Sequence, residues 1–164
     1  MLQKTLLLFL VLSFTLFAKE FQIKSIEGDV YTFYLDKEEL KIKEFPNKII
    51  IMDFFSTTCP PCIQELPELS ALQENFHDSV QLIGIESALK KSDKKMQEFA
   101  DKKGLNYPVF GLEEADALLG FVVNHIEWNG ALPFKLMYNS KGKLTFQLYG
   151  AMSKSKLEET LQKL

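Results

Sequence analysis

Two cysteines separated by two prolines are the residues of this 164-residue chain best suited to chemistry. They form the segment Cys59-Pro60-Pro61-Cys62, and the sequence contains no other cysteine. A structural disulfide stabilises a fold by closing a long loop, and a two-residue spacer closes almost none. A close pair can instead exchange disulfides with another molecule, because one thiolate attacks and the second thiol resolves the mixed disulfide. The spacing therefore predicts a redox-active disulfide between Cys59 and Cys62.

The segments on either side of the dithiol predict the strand and the helix that hold it. Residues 49–55 are apolar except for Asp53, which is typical of a strand buried on both faces. Apolar residues then recur at helical spacing over residues 60–76. A cysteine at a helix N-terminus has its thiolate stabilised by free N–H groups and the helix dipole. We therefore expect Cys59 to be the nucleophile and Cys62, one turn further, to be the resolving thiol.

The two spacer prolines bear on the direction of electron flow. They suit the first helical turn, but they remove two N–H donors that could have bonded the Cys59 sulfur. A weakly stabilised thiolate is typical of the reducing end of the dithiol range. The sequence thus favours a reductant, while an oxidant or an isomerase of exported protein disulfides would use the same two cysteines.

The rest of the chain predicts one three-layer α/β domain. Strand and helix patterns alternate and end in a hairpin, which places helices on both faces of a sheet. The predicted elements are a hairpin over residues 21–35, a charged connector over 36–48, a strand from 80, helices over 92–103 and 113–122, a hairpin from 132 to 149 and a helix over 153–164.

The N-terminal residues predict export. Lys4 precedes a largely apolar stretch from Thr5 to Ala18, which has the layout of a signal peptide and is short for a membrane span of about 20 residues. We expect residues 1–18 to be a signal peptide or an uncleaved anchor, residues 19–164 to be the domain, and the protein to be periplasmic or otherwise extracytoplasmic. The net charge of −3 and the absence of arginine argue against nucleic-acid binding.

The segment from Asp53 to Pro67, DFFSTTCPPCIQELP, resembles the active-site segment of the TlpA/ResA branch of thioredoxin-like proteins. Phe55 and Thr58 stand where family members commonly carry tryptophan. The resemblance implies a three-layer thioredoxin-like fold with an N-terminal β-hairpin and a strand–helix insertion. It also implies protein substrates bound through transient mixed disulfides, a membrane-embedded electron donor and no cofactor or metal. Reduction of apocytochrome c for haem attachment is the family role that we favour.

The same resemblance assigns acidic residues and a helix proline to the site. Asp53 matches the acid that lies beneath the dithiol, where burial would raise its pKa and let it accept the Cys62 proton. Glu65 matches an acid kept near the thiols, although a solvated helix position is the alternative. Pro67 matches the proline that kinks the active-site helix.

A second proline is assigned to substrate binding. Pro133, in Gly130-Ala-Leu-Pro-Phe, matches the cis-proline of thioredoxin-like proteins, whose loop lies beside the dithiol and pairs with the substrate chain. Leu132 would then flank the nucleophile. Trp128 could line the same groove, and filling the core is its alternative use.

Three other classes of function compete with disulfide exchange. Cys59, Cys62 and His125 could hold copper, as soft thiolates with an imidazole can. A peroxidase is suggested by the similarity of residues 56–59 to a peroxiredoxin segment, but Met52 stands where that family has proline and the chain has no arginine. A redox-inert binding domain would have no use for two retained cysteines.

Overall fold

The computed structural model describes residues 19–163, so the predicted signal segment lies outside the described residues. Within this range no helix is long and apolar enough to cross a membrane. The elements in chain order are β1 (Lys19–Lys24), β2 (Val30–Leu35), β3 (Leu40–Ile42), β4 (Ile49–Phe55), α1 (Pro60–Phe76), β5 (Val80–Glu86), α2 (Asp93–Lys103), β6 (Val109–Phe110), α3 (Leu112–His125), β7 (Phe134–Tyr138), β8 (Leu144–Tyr149) and α4 (Lys154–Leu161).

A five-stranded sheet with the order β6-β5-β4-β7-β8 forms the centre of the domain. Strand β4 lies in the middle, parallel to β5 and antiparallel to β7. Every residue of β4 after Ile49 is buried, and so is every residue of β5. The prediction of central strands covered on both faces is therefore confirmed.

A separate three-stranded sheet, β1-β2-β3, confirms the predicted N-terminal hairpin and corrects the prediction for residues 36–48. That segment is not only a charged connector, because β3 pairs with β2 and buries Leu40 and Ile42 on either side of exposed Lys41. Three alternating residues are too short a pattern to indicate a strand. The two-residue strand β6, which pairs with β5, escaped prediction for the same reason.

Two apolar clusters cover the two faces of the central sheet. Ile51 and Phe55 of β4 pack with α1, α2 and α4, whereas Met52 and Phe54 pack with α3 and the small sheet. Side chains alternate across a strand, so β4 supplies both layers. The three-layer α/β prediction is confirmed. The segment between β5 and β7 contains α2, β6 and α3, and this is where the predicted strand–helix insertion lies. Helix α3 runs longer than the predicted 113–122.

Candidate active site

Strand β4 delivers the chain to the dithiol and α1 begins directly after Cys59. Cys59 is the N-cap residue of α1, with extended backbone, and its side chain is partly exposed. Cys62 lies in the first turn and is fully buried. The two sulfurs form a disulfide. Cys59 is thus the more accessible of the two cysteines, which fits a nucleophile, and the buried Cys62 fits a resolving thiol.

The surroundings of the Cys59 sulfur are sparse in donors. The Cys62 N–H donates to Cys59 Sγ at 3.3 Å, and the Ile63 N–H donates to the Cys59 carbonyl at 3.0 Å. Pro60 and Pro61 occupy the positions between them and have no N–H to offer. At the helix N-terminus, a single backbone N–H therefore bonds this sulfur.

Asp53 lies on the same face of β4 as the resolving thiol. Ile51 and Phe55, two residues to either side, both pack in the cluster that contains Cys62, so the side chain of Asp53 points to that layer. It is fully buried. The resemblance implied an acid beneath the dithiol, and the fold places Asp53 in the layer that lies there.

A buried lysine joins Asp53 to Glu65. Lys135 on β7 is the cross-strand partner of Asp53. Its Nζ lies 3.2 Å from Asp53 Oδ1 and donates to Glu65 Oε1 at 2.6 Å, and the Met152 N–H donates to Glu65 Oε2 at 3.0 Å. Asp53 and Lys135 are fully buried and Glu65 is 3% exposed. The alternative of a solvated Glu65 is therefore wrong.

Burial and charge act in opposite directions on this cluster. Burial raises the pKa of Asp53 and of Glu65, and the Lys135 ammonium only partly offsets it. Burial alone would lower the pKa of Lys135, but the attraction of the two carboxylates and its hydrogen bonds raise that pKa. The cluster therefore combines a lysine held charged with two acids that retain their protons to higher pH than usual.

Tyr107 completes the polar surroundings of the cluster. Its hydroxyl is buried and has no hydrogen-bond partner among the described residues. Burial, followed by the charges of Asp53 and Glu65, raises the pKa of Tyr107. Gly84, opposite Asp53 on β5, leaves room for the ring, since a Cβ there would lie 3.2 Å from it. The hydroxyl thus stays neutral.

The loop before β7 and the dithiol lie at the same end of the two adjacent central strands, β4 and β7. Because β7 is antiparallel to β4, Phe134 at its start lies opposite Phe54 at the end of β4. The Leu132–Pro133 bond is cis, as the resemblance implied. Leu132 is partly buried and packs against both apolar clusters. This arrangement places the loop and the cysteines side by side.

Trp128 lies beneath this loop rather than on its surface. Its side chain is 5% exposed, stacks on Phe134 at 5.4 Å between ring centroids, and donates its indole N–H to the Ala131 carbonyl at 3.0 Å. It also contacts Phe54. The expectation that Trp128 lines a groove is corrected: the buried ring packs against Phe54 and Phe134, so it fills the core and supports the loop.

Glu86, a residue that our sequence analysis did not single out, organises the loop before Cys59. This fully buried carboxylate ends β5 and accepts the N–H groups of Thr57, Ala88 and Leu89 at 2.8, 3.0 and 3.1 Å. Lys135 was missed as well. Both residues stand in apolar runs of strand length, which is the signal that identified Asp53, so the same criterion could have found them.

Two further residues considered in the sequence are Pro67, which lies within α1, and His125, which lies at the end of α3. Helix α1 continues through Pro67 to Phe76. His125 ends α3, where its ring stacks on Phe121 and bonds the Phe121 carbonyl. Over residues 19–163 no group of three metal-ligating side chains of the His, Cys, Asp or Glu type occurs. The structure therefore does not bring His125 to the two cysteines.

A disulfide at a helix N-terminus, a buried acid behind it and an adjoining cis-proline loop define a thiol–disulfide oxidoreductase of the thioredoxin-like class. The chain belongs to the AhpC/TSA family, whose sequence model matches residues 17–147. The resemblance to the TlpA/ResA branch is confirmed by two curated relatives.

Curated relatives carry names of this class. The chain is 25% identical over 131 residues to the thiol–disulfide oxidoreductase ResA of Bacillus thuringiensis, covering 79% of this chain and 71% of ResA. It is 23% identical over 145 residues to the thioredoxin-like protein YneN of Bacillus subtilis, covering 88% and 76%.

Solved structures share the fold. StoA from Bacillus subtilis superposes with a TM-score of 0.64 at 20% identity, covering 87% of this chain and 96% of StoA. A secreted Mycobacterium tuberculosis disulfide oxidoreductase homologous to Escherichia coli DsbE gives 0.64 at 22% identity, covering 88% and 96%. The predicted thioredoxin-like fold is therefore confirmed.

Proposed function

We propose that this protein works outside the cytoplasm as a reductant of disulfides in specific exported proteins. The signal-like segment 1–18 supports export of the domain 19–164, either as a cleaved peptide or as an anchor. One structural neighbour is described as secreted, which is consistent with that location. The electrons would come from a membrane-embedded donor that reduces the Cys59–Cys62 disulfide.

The proposed cycle assigns a role to each cysteine. The Cys59 thiolate attacks one sulfur of the substrate disulfide, forming a mixed disulfide and releasing the other substrate sulfur as a thiolate. Cys62 then passes its proton to Asp53 or Glu65, and its sulfur attacks Cys59 Sγ. The second substrate thiolate leaves, and both take protons from water. The substrate has gained two electrons, and the protein is left with the Cys59–Cys62 disulfide.

The proposed direction of electron flow rests on the Cys59 sulfur, which accepts a hydrogen bond from one backbone N–H among the described residues. An oxidant is strong because its reduced form is stabilised, and few donors around the thiolate give little such stabilisation. We expect a reduction potential close to the value of about −270 mV typical of reducing thioredoxin, rather than the value of about −120 mV of DsbA. Equilibration with glutathione of defined poise measures it, and a value near the oxidising extreme would reverse the proposed direction.

The substrate would dock along the Leu132–Pro133 loop. This loop lies at the same end of the central strands as the dithiol, and the buried Trp128 supports it with a hydrogen bond to Ala131. Apocytochrome c, whose cysteines must be reduced before haem attachment, is the substrate that we propose on the resemblance to the TlpA/ResA branch.

Trapping tests the exchange reaction and its substrate together. Cys62→Ala should stall at a mixed disulfide through Cys59 when it is incubated with an oxidised apocytochrome c peptide, because no thiol is left to resolve it. Cys59→Ala is the matched control and should capture nothing, since Cys62 is fully buried. Failure of Cys62→Ala to capture any disulfide substrate would contradict the exchange function. Capture of model disulfides but not of the peptide would contradict only the substrate.

A further inference from the structure

Lys135 is the least expected residue in the core of this protein. All five residues of β7 are buried, and the other four are Phe134, Leu136, Met137 and Tyr138. A lysine is almost never fully buried unless its charge is paired. The ammonium is held between two carboxylates that come from different elements, Asp53 of β4 and Glu65 of α1.

The charges of this cluster do not balance when all three groups are ionised. Two carboxylates and one ammonium give a net charge of −1 in an apolar layer, whereas a single proton on either acid makes the cluster neutral. The other groups that face it supply no charge: the Tyr107 hydroxyl is neutral, Cys62 is a thiol or a disulfide, and Met152 contributes a backbone N–H. The ammonium therefore favours ionisation of the two acids, while burial favours their protonation.

We propose that Lys135 is a positioning residue that keeps the Asp53–Glu65 pair singly ionised and so able to accept the Cys62 proton at neutral pH. Without the ammonium, burial would hold protons on both acids and leave no acceptor. With it, one oxygen of the pair remains a carboxylate within the layer that contains Cys62. The inference rests on the proposed function, because it gives Lys135 a part in resolving the mixed disulfide.

The proton transfer is confined to one step of the cycle. The proton passes from Cys62 Sγ to the carboxylate, and the electron pair left on Cys62 Sγ forms the new bond to Cys59 Sγ. The bond from Cys59 to the substrate sulfur breaks, and that sulfur leaves with the bonding electrons. Lys135 touches neither sulfur in this scheme, since its Nζ bonds Glu65 and lies against Asp53.

Two substitutions should move the ionisation of the pair in opposite directions. Lys135→Met removes the ammonium and keeps an unbranched side chain, so the remaining acids should ionise at a pH higher by one unit or more. Glu65→Gln removes the competing acid and leaves Asp53 alone with the lysine, so Asp53 should ionise at a pH lower by one unit or more. Lys143→Met, an exposed lysine in the turn after β7, is the matched control.

Carboxyl ¹³C NMR titration of the reduced full-length protein measures these midpoints without depending on exchange activity. Single-turnover reduction of a small disulfide, followed from pH 5 to 9, gives the matching rate profile. We expect Lys135→Met to slow resolution at pH 7 by about tenfold and to shift the profile to alkaline pH, while Glu65→Gln shifts it to acid pH. If Lys135→Met does not fold, the acid shift of the carboxyl midpoint and of the rate profile in Glu65→Gln tests the inference alone.

Unchanged carboxyl midpoints in both variants would overturn the inference and reduce Lys135 to a structural ion pair. So would shifted midpoints that leave the rate profile in place. The proposed function fails separately, through the absence of any mixed disulfide in the Cys62→Ala trapping experiment. The two failures are therefore distinguishable.

Discussion

The structure holds two buried carboxylate sites near the dithiol, and they are stabilised in different ways. The Asp53–Lys135–Glu65 cluster relies on charge: the ammonium faces both acids, and a backbone N–H bonds Glu65 alone. Glu86 relies on the backbone and accepts three N–H groups from two loops. Charge pairing leaves protons exchangeable, whereas backbone hydrogen bonds fix loops. The difference separates a site that can move a proton from one that holds the nucleophile's loop in place.

Removing the lysine should produce the largest effect. Lys135→Met leaves two buried acids without a cation, and breaking a buried ion pair in this way costs about 3–5 kcal/mol. Urea unfolding of the oxidised protein at pH 7 measures the loss. It should shrink toward pH 4, where the acids are protonated and need no partner. Lys143→Met, at an exposed position, should stay within about 0.5 kcal/mol of the wild type. An equal loss at pH 4 and pH 7 would contradict the charge-based account.

Truncating Glu86 should come next. Glu86→Ala leaves the N–H groups of Thr57, Ala88 and Leu89 without their acceptor, at a cost of about 2–4 kcal/mol after water reaches some of them. Hydrogen exchange should accelerate at these three amides and spare Met152, which bonds Glu65. Lys135→Met should instead accelerate exchange at Met152 and spare the three amides that bond Glu86. If Glu86→Ala leaves all three amides protected, the carboxylate does not hold the loops.

The pH dependence of stability gives a smaller effect with a definite sign. The pKa values of Asp53 and Glu65 are raised from ordinary values of 3.8 and 4.5. Between those values and the raised ones the folded state binds more protons than the unfolded state, so stability falls as pH increases. Each unit of separation corresponds to about 1.4 kcal/mol.

Asp53→Asn tests whether the buried acids cause this pH dependence of stability. The variant keeps Glu65 paired with Lys135 and should flatten the decline in unfolding free energy of the oxidised protein between pH 4 and 7. The oxidised form is used because its cysteines do not titrate. A wild-type stability that rises over this interval would show that the acids are better stabilised ionised than their burial implies.

Most of the fold and half of the site could be predicted from the sequence. The continuous apolar run before Cys59 and the helical spacing after it indicated the strand and the helix correctly, because both elements are long enough for their period to register. The short strands β3 and β6 were not predictable, since their burial depends on partners distant in sequence. Asp53 was found as a charge in an apolar run and through the resemblance, whereas Lys135 and Glu86, which satisfy the first criterion alone, were overlooked.

Long-range pairing explains what no local pattern could provide. That Lys135 lies opposite Asp53 follows from the antiparallel register of β4 and β7, which joins residues 82 positions apart. Trp128 could be assigned to the core only once its ring was seen packed against both Phe54 and Phe134. A sequence can identify a costly buried charge, but the sheet register decides which partner satisfies it.

The same substitution at the two sites gives the finest test of the comparison. Glu86→Gln keeps one oxygen, which can still accept two of the three N–H groups, so it should cost only about 1 kcal/mol. The N–H that loses its acceptor is that of Thr57. The disulfide-exchange rate of Glu86→Gln should nevertheless keep the wild-type pH profile, because the Asp53–Lys135–Glu65 cluster is intact. Glu65→Gln makes an identical chemical change and should shift that profile to lower pH. If both variants shift it equally, proton transfer is not confined to the Asp53–Lys135–Glu65 cluster and Glu86 takes part in it.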